Sequence, residues 1–330
     1  MRAQRLPGFT LVELLVALAI AGLLATGIAS IYLENKRSYY QDDELARIQE
    51  NARYAIKLLK RELTMAGFMA GIPQFSGLAA SAVSTGCVAA KDWALDATEP
   101  LDLIDNADSG STLTSIKGHT WTCIPSGDVL DDTDIVAVKR TAGSYTLKDG
   151  SLPSGVSEDD EQWYLRTFDN NAQLSWVYLG NGASIPVGDK TAGSSVSYWE
   201  YYARIFFVRE FSVTDGDGIP SLCMAELNAS VMSANCYVEG IEDLQVEFGI
   251  DTDNDSVPNQ FKTAPTSVEL DEAVAVRVYL LVRSVNTVPG YTNSKTYQLG
   301  TKSVGAKNDA FIRRVFSTTV QMRNAKLPNA

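Results

Sequence analysis

The feature that most constrains this chain is the run from Leu14 to Leu33, which holds no charged residue and no proline and is opened by a single acid, Glu13. As a helix rising about 1.5 Å per residue, the run covers roughly 30 Å, the thickness of a bilayer's hydrocarbon core. An acid inside such a core costs on the order of 3 kcal/mol unless it is neutralised or paired. Ahead of the run stand Met1-Arg-Ala-Gln-Arg-Leu-Pro-Gly8 and Phe9-Thr-Leu-Val-Glu13. The positive-inside rule keeps the short end with Arg2 and Arg5 in the cytoplasm, so everything after Leu33 is expected to be exported. An ordinary secretory signal would place a small-residue cleavage site after the apolar run. Ala29-Ser30-Ile31 is a poor one.

The contiguous stretch Gly8-Phe9-Thr10-Leu11-Val12-Glu13-Leu14-Leu15-Val16-Ala17 resembles the class III signal of type IV prepilins and type II secretion pseudopilins. The resemblance implies cleavage after Gly8 by a dedicated peptidase, N-methylation of Phe9, and an assembly role for the acid Glu13. Glycine at the cleavage position adds no side chain to obstruct a protease. After cleavage the Phe9 amine is cationic, and an acid in the first helical turn can pair with such an amine on a neighbouring subunit, setting subunit register. Gly22 matches a glycine common in that family and also suits plain helix–helix packing. Ser30 stands where many major pilins carry proline, which leaves a kink there open.

Beyond Leu33 the pattern becomes amphipathic. Leu45, Ile48, Ala52, Ala55, Ile56, Leu59, Leu63 and Ala66 form one stripe at helical spacing. Glu44, Arg47, Glu50, Arg53, Lys57, Lys60 and Arg61 fall largely off it. No proline interrupts Phe9–Met69, so one helix of roughly 60 residues and about 90 Å is feasible. Half of it in water would be marginal on propensity alone, so the stripe must dock on the rest of the chain. Gly67, Gly71 and Pro73 are its expected stop.

The segment 71–130 reads as loops with short strands or one short helix. Period-two patterning then predicts strands at Ile135–Arg140, Gln162–Phe168, Leu174–Leu179, Tyr201–Glu210, Ile241–Ile250, Ala273–Val285 and Phe311–Met322. In the last-but-one, Val274, Val276, Val278, Leu280 and Val282 share a face. The expected class is α+β and pilin-like: a long N-terminal helix packed on a large antiparallel β-rich domain. Its parts are a leader over 1–8, a membrane and assembly helix over 9–33, an amphipathic helix over 34–70, and an exported globular domain over 71–330.

Two further stretches, Gly240-Ile241-Glu242-Asp243-Leu244-Gln245-Val246-Glu247-Phe248-Gly249-Ile250-Asp251 and Arg313-Arg314-Val315-Phe316-Ser317-Thr318-Thr319-Val320-Gln321-Met322-Arg323-Asn324, resemble PilW-type minor pilins. The related J-type pseudopilins share the helix and the Arg-Arg-x-Phe ending but are shorter. The resemblance implies a non-enzymatic minor pilin that helps initiate or cap a type IV pilus, in a process tied to twitching motility and adhesion. It further implies a single-pass inner-membrane protein with a periplasmic domain that later joins the pilus. Implied partners are other minor pilins and the major pilin through the N-terminal helix, prepilin peptidase, the inner-membrane assembly platform and the inner membrane itself. The alternatives are a pseudopilin at the tip of a secretion pseudopilus, or a tip adhesin that uses calcium.

The net charge of −12, with no cluster of basic residues after the helix, argues against direct nucleic-acid binding. Cys87, Cys123, Cys223 and Cys236 lack a CxxC pair, which argues for disulfides in an exported domain rather than for zinc. Three pairings are possible. Proximity favours Cys87–Cys123 and Cys223–Cys236, closing loops of roughly 36 and 13 residues. No cofactor is required, but Asp251, Asp253 and Asp255 alternate as in the first half of an EF-hand loop and could converge on calcium. Ser256 and Lys262 depart from that loop's glycine and glutamate, and a solvated acidic turn fits equally. Asp215-Gly-Asp217-Gly reads as a hairpin turn. His119 reads as a surface or satisfied loop residue, and Tyr198, Trp199, Tyr201, Tyr202, Phe206 and Phe207 read mainly as sheet core. No acid/base pair, nucleophile or metal triad points to catalysis.

Overall fold

The structure, a computed structural model, describes residues 10–72, 78–80, 83, 87, 93–158, 161–168, 173–180, 183–229 and 231–324. It opens with α1, Leu11–Met65, one helix without a break. The helix ends at Met65 rather than Met69. Gly67 swings to φ 75°, a conformation that disfavours any residue with a Cβ, and its N–H donates to Lys139 O at 3.0 Å. The chain thereby leaves α1 straight onto the domain's first sheet.

The strands follow as β1 (Leu101–Ala107), β2 (Thr133–Thr141), β3 (Gln162–Phe168), β4 (Gln173–Leu179), β5 (Val196–Arg209), β6 (Ser221–Asn228), β7 (Val231–Glu239), β8 (Ile241–Ile250) and β9 (Gln260–Lys262). After a short helix α2 (Ser267–Asp271) come β10 (Ala273–Arg283), β11 (Tyr297–Leu299), β12 (Lys302–Val304) and β13 (Arg313–Gln321). All observed pairings are antiparallel. One sheet has the order β1-β2-β5-β3-β4, with β6 on β5 and β7 on β6; a second has the order β13-β10-β8-β9. The seven strands expected from the sequence all form. The seven-residue β1 is a short strand of the kind expected in 71–130, whereas the hairpin β6–β7 and the short strands β9, β11 and β12 were not expected.

The long strand β5 is the spine of the first sheet. Its first half pairs β3, with Tyr164 opposite Glu200, and its second half pairs β2, with Val136 opposite Phe206. In the second sheet Val278 faces Val246 and Leu280 faces Leu244. The same side chains of β8 and β10 are at most 1% exposed, and the polar residues that alternate with them on β8, Asp243, Gln245 and Glu247, are buried as well, so β8 is covered on both faces. Leu59 and Leu63 of α1 share one core with Val136 and Phe206 of the first sheet and Phe248 and Val278 of the second. The helix therefore lies on both sheets.

Asp134 links the sheets electrostatically. The pairing of β1 on β2 shifts register between Ile104 and Ala107, and Asn106 there takes φ 50°. Its N–H donates to Asp134 at 2.9 Å, while Val246 of β8 donates to the other carboxyl oxygen at 2.7 Å. Burial pushes the Asp134 carboxyl up to about 8, against the charged form that low dielectric disfavours. Disulfides join Cys87 to Cys123 and Cys223 to Cys236, the second directly across the β6–β7 ladder.

Candidate functional site

Gly8 and Phe9, the expected cleavage position, lie outside the described residues. The next residue, Thr10, is the N-cap of α1, and Glu13 completes a capping box with it. Glu13 Oε2 accepts the Thr10 backbone N–H at 2.9 Å and the Thr10 hydroxyl at 2.8 Å, and the Glu13 N–H donates back to Thr10 Oγ1 at 3.3 Å. Such a box satisfies backbone donors that a helix start otherwise leaves open. It also holds the Glu13 carboxylate on Thr10 at the helix tip, the residue next to the one whose amine would be freed if the chain were cut after Gly8.

From Leu11 to Leu33 the helix is bare. No residue of its apolar window is buried, and Leu11, Leu23 and Ile28 are 69–75% exposed. Two of the hydroxyls in the run bond to their own helix: Thr26 Oγ1 donates to Leu23 O at 2.8 Å and Ser30 Oγ to Thr26 O at 2.9 Å. This back-bonding hides hydroxyls from an apolar solvent. At Ser30 the helix continues without a break.

The other half of α1 is docked. Ile48, Ala52, Ala55, Leu59 and Leu63 are at most 1% exposed, with Leu45 and Ile56 partly buried against the same core. The predicted stripe is the observed one. Two acids on this half were not singled out. Glu44, grouped with the off-stripe charges by periodicity, is buried and accepts Asn286 Nδ2 at 2.9 Å. Glu62 is fully buried and receives both Arg140 Nε and Nη2 at 2.7 Å, with Arg204 Nη1 also at 2.7 Å. Arg204 reaches on to Glu226, and both guanidinium groups sit about 4.5 Å from the Tyr202 ring. Bidentate arginine–carboxylate geometry of this kind fixes orientation as well as adding energy. The sequence signal was Arg140 and Arg204, basic residues next to or within the apolar runs Ile135–Val138 and Ala203–Val208 of β2 and β5.

The acidic loop after β8 brings its three expected residues together. Carboxylate oxygens of Asp251, Asp253 and Asp255 lie within 4.8 Å of one another. Asp251 is buried, and its oxygens accept the N–H groups of Asn254 at 2.8 Å and Ser256 at 3.0 Å. Ser256 takes φ 66°, the conformation an EF-hand asks of its glycine. Lys262 instead pairs with Glu269 at 2.5 Å. The hard oxygen donors suit calcium in kind. Asp217 is spent differently. It accepts the N–H groups of Ser212, Val213, Thr214 and Ile219, and these bonds, Val213 foremost, hold its carboxyl down at about 2. His119 hydrogen-bonds Glu99 at 2.5 Å. Tyr198, Tyr201, Phe206 and Phe207 are buried, and Trp199 and Tyr202 half-buried.

Comparison with known proteins matches residues 205–324 to the family model Type IV Pilus-assembly protein W. Residues 7–29 match the prokaryotic N-terminal methylation motif. No curated protein sequence matches the chain. Among solved structures, a type IV-like pilin from Thermus thermophilus is similar at 14% identity and a TM-score of 0.38, over 84% of this chain and 97% of that one.

Proposed function

For this chain, a type IV pilin-like minor pilin with a PilW domain and a prepilin methylation motif, we propose a role in starting or capping a type IV pilus. The observation that carries the reading is the division of α1. One half is bare, apolar and tipped by Glu13, and the other is locked into a wide β domain. Cleavage after Gly8 frees the Phe9 amine. The bare half first rests in the inner membrane, with the domain in the periplasm, and then packs among the helices of other pilins. Glu13 pairs with a cationic amine of a neighbouring subunit and sets its register. A domain built on two sheets is bulky for repeated stacking along a thin filament, which favours a place at the tip or in the priming complex. Immunogold labelling of the domain on intact pili tests this. Label at filament ends supports it, and label spaced along the shaft overturns it.

A second reading, a binding module, is favoured by the clustering of Asp251, Asp253 and Asp255. In it the three carboxylates hold calcium and stiffen the loop between β8 and β9. Millimolar calcium then raises the melting temperature, since a ligand that binds only the folded state stabilises it by about 2.7 kcal/mol at a hundredfold excess over its Kd. Asp253→Ala abolishes the rise. A melting temperature indifferent to calcium ends this reading.

A further inference from the structure

The backbone groups of a β-strand point alternately to its two sides, so a strand with one neighbour leaves half of them open. This chain closes several such openings from within. On the outer side of β1, the Leu103 N–H donates to the Asp102 carboxylate at 2.8 Å, and Leu103 O accepts the Ile116 N–H at 2.8 Å. On β8, the N–H of Val246 faces away from β10 and donates to Asp134 at 2.7 Å. On β7, Glu239 O accepts Asn51 Nδ2 at 3.0 Å.

Strand β13 is left open. It pairs with β10 alone, in unbroken register from Ala275 opposite Gln321 to Arg283 opposite Arg313. Just past its two ends the Met322 N–H donates to Val274 O at 2.9 Å and the Ser284 N–H to Ile312 O at 2.8 Å. That phase gives the backbone groups of the even-numbered residues to β10 and turns those of Ser317, Thr319 and Gln321 outward. Among the described residues, nothing takes them, and all three residues are exposed. The stretch has no proline, lysine or bulge, the usual devices that keep an edge from pairing. Its charge is sorted as well. The chain carries a net charge of −12, yet no Asp or Glu occurs between Ala310 and Asn324. Arg314 and Arg323 stand exposed at the two ends of the stretch, and neither has an ion pair among the described residues.

We propose that the β13 edge over Ser317–Gln321 receives an extended strand of a different protein, one that carries an acid at each end. The open stretch covers about 17 Å, the length of a common strand. Backbone bonds to Ser317, Thr319 and Gln321 supply the affinity, as in other cases of strand addition. Charge selects the occupant. Two copies of this chain paired edge to edge, antiparallel or parallel, bring cationic end against cationic end, which disfavours self-pairing. An acid-ended strand instead places a carboxylate beside each arginine, so the same two residues repel one partner and attract another. The surface belongs to the globular domain, and the inference goes beyond the subunit's place in a pilus and does not depend on it.

The test uses the full-length protein in neutral detergent at low salt, with synthetic peptides of alternating threonine and valine. Each is about ten residues long, roughly the span from Arg314 to Arg323. One ends in glutamates, one ends in lysines, and one is the glutamate peptide with its backbone nitrogens methylated. Binding is read by fluorescence anisotropy and by hydrogen exchange at single residues. In the free protein the Ser317, Thr319 and Gln321 amides should exchange roughly a hundredfold faster than those of Thr318 and Val320. Outward amides as slow as their neighbours overturn the proposal, because the edge is then already taken. The glutamate peptide should bind about tenfold more tightly than the lysine peptide and slow exchange at the three outward amides, and the methylated peptide should not bind. Thr319→Pro removes an outward N–H and spares the ladder with β10, so it should abolish binding with the fold kept. Arg314→Glu combined with Arg323→Glu should reverse the charge preference, which keeps the test decisive if the proline variant does not fold. Equal affinity for the two charged peptides overturns the proposal, as does binding of the methylated one. A dimer of the chain that Thr319→Pro dissolves also overturns it.

Discussion

From Leu11 to Leu33 the long helix buries none of its side chains in its own domain, whereas from Ile48 to Leu63 one whole stripe is buried. The two halves share a backbone and differ in the solvent they are written for. The first is apolar on every face beyond Glu13, turns the Thr26 and Ser30 hydroxyls onto its own backbone, and needs only a medium without water. The second has a narrow apolar face that must meet another surface, because a helix of that length gains little from propensity alone. A single secondary structure thus carries two contracts, one with the chain and one with whatever surrounds it. The ion pairs of Glu62 with Arg140 and Arg204 make the first contract specific.

The largest effect expected from breaking the docked half is at Glu62. Glu62→Ala leaves two arginines without their shared partner in a buried site, a loss of about 3–5 kcal/mol by denaturant unfolding. Unchanged stability would mean that the apolar stripe alone holds the helix. Next is the platform beneath it. Replacing Cys223 and Cys236 together by serine should cost roughly 2–4 kcal/mol, and β7 also receives the Asn51 side chain on Glu239 O at 3.0 Å. A loss well under 1 kcal/mol would show that the hairpin does not support α1.

Asp134 sharpens the comparison by pH. Folded, its carboxyl keeps its proton up to about 8, against 3.8 for an ordinary aspartate. The folded state therefore binds more protons than the unfolded one between those values, and stability falls as pH rises through the window. The slope is at most about 1.4 kcal/mol per pH unit. Between pH 6 and pH 8 the domain should lose about 2 kcal/mol, and Asp134→Asn should flatten that slope. The bare half has no part in it. Smallest in stability is Glu13→Ala, which should leave domain unfolding unchanged while cutting recovery of the protein in sheared pili. A shift in the melt would mean that the two halves are not independent.

Legibility in the sequence follows the same physics. The bare half and the stripe could be read residue by residue, because each repeats one environment for many turns. Strands β8, β10 and β13 were legible because their faces alternate. The β6–β7 hairpin was not, since Met224, Ala225, Ala234 and Asn235 blur the alternation; the clue was Cys223 and Cys236 standing either side of the turn that follows Asn228. Short strands were expected in 71–130, but the place of β1 was hidden by Asp102 and Asn106. Asp102 is buried there and satisfied by Ser115 Oγ at 2.5 Å and the Leu103 N–H at 2.8 Å. At the candidate site, Glu13 was readable from its position against an apolar run. Glu62 was not, because its partners lie 78 and 142 residues away in the chain.

An unbroken α1 also acts as a torsion rod. Glu62 is clamped between two guanidinium groups at one end, so the domain's heading fixes the azimuth of every side chain down to Glu13 at the other. Each residue added or lost between them would rotate Glu13 by about 100° and move it about 1.5 Å along the axis. The carboxylate at the tip is aimed by a lock some fifty residues away, and the spacing between the two decides where it points as much as either acid does.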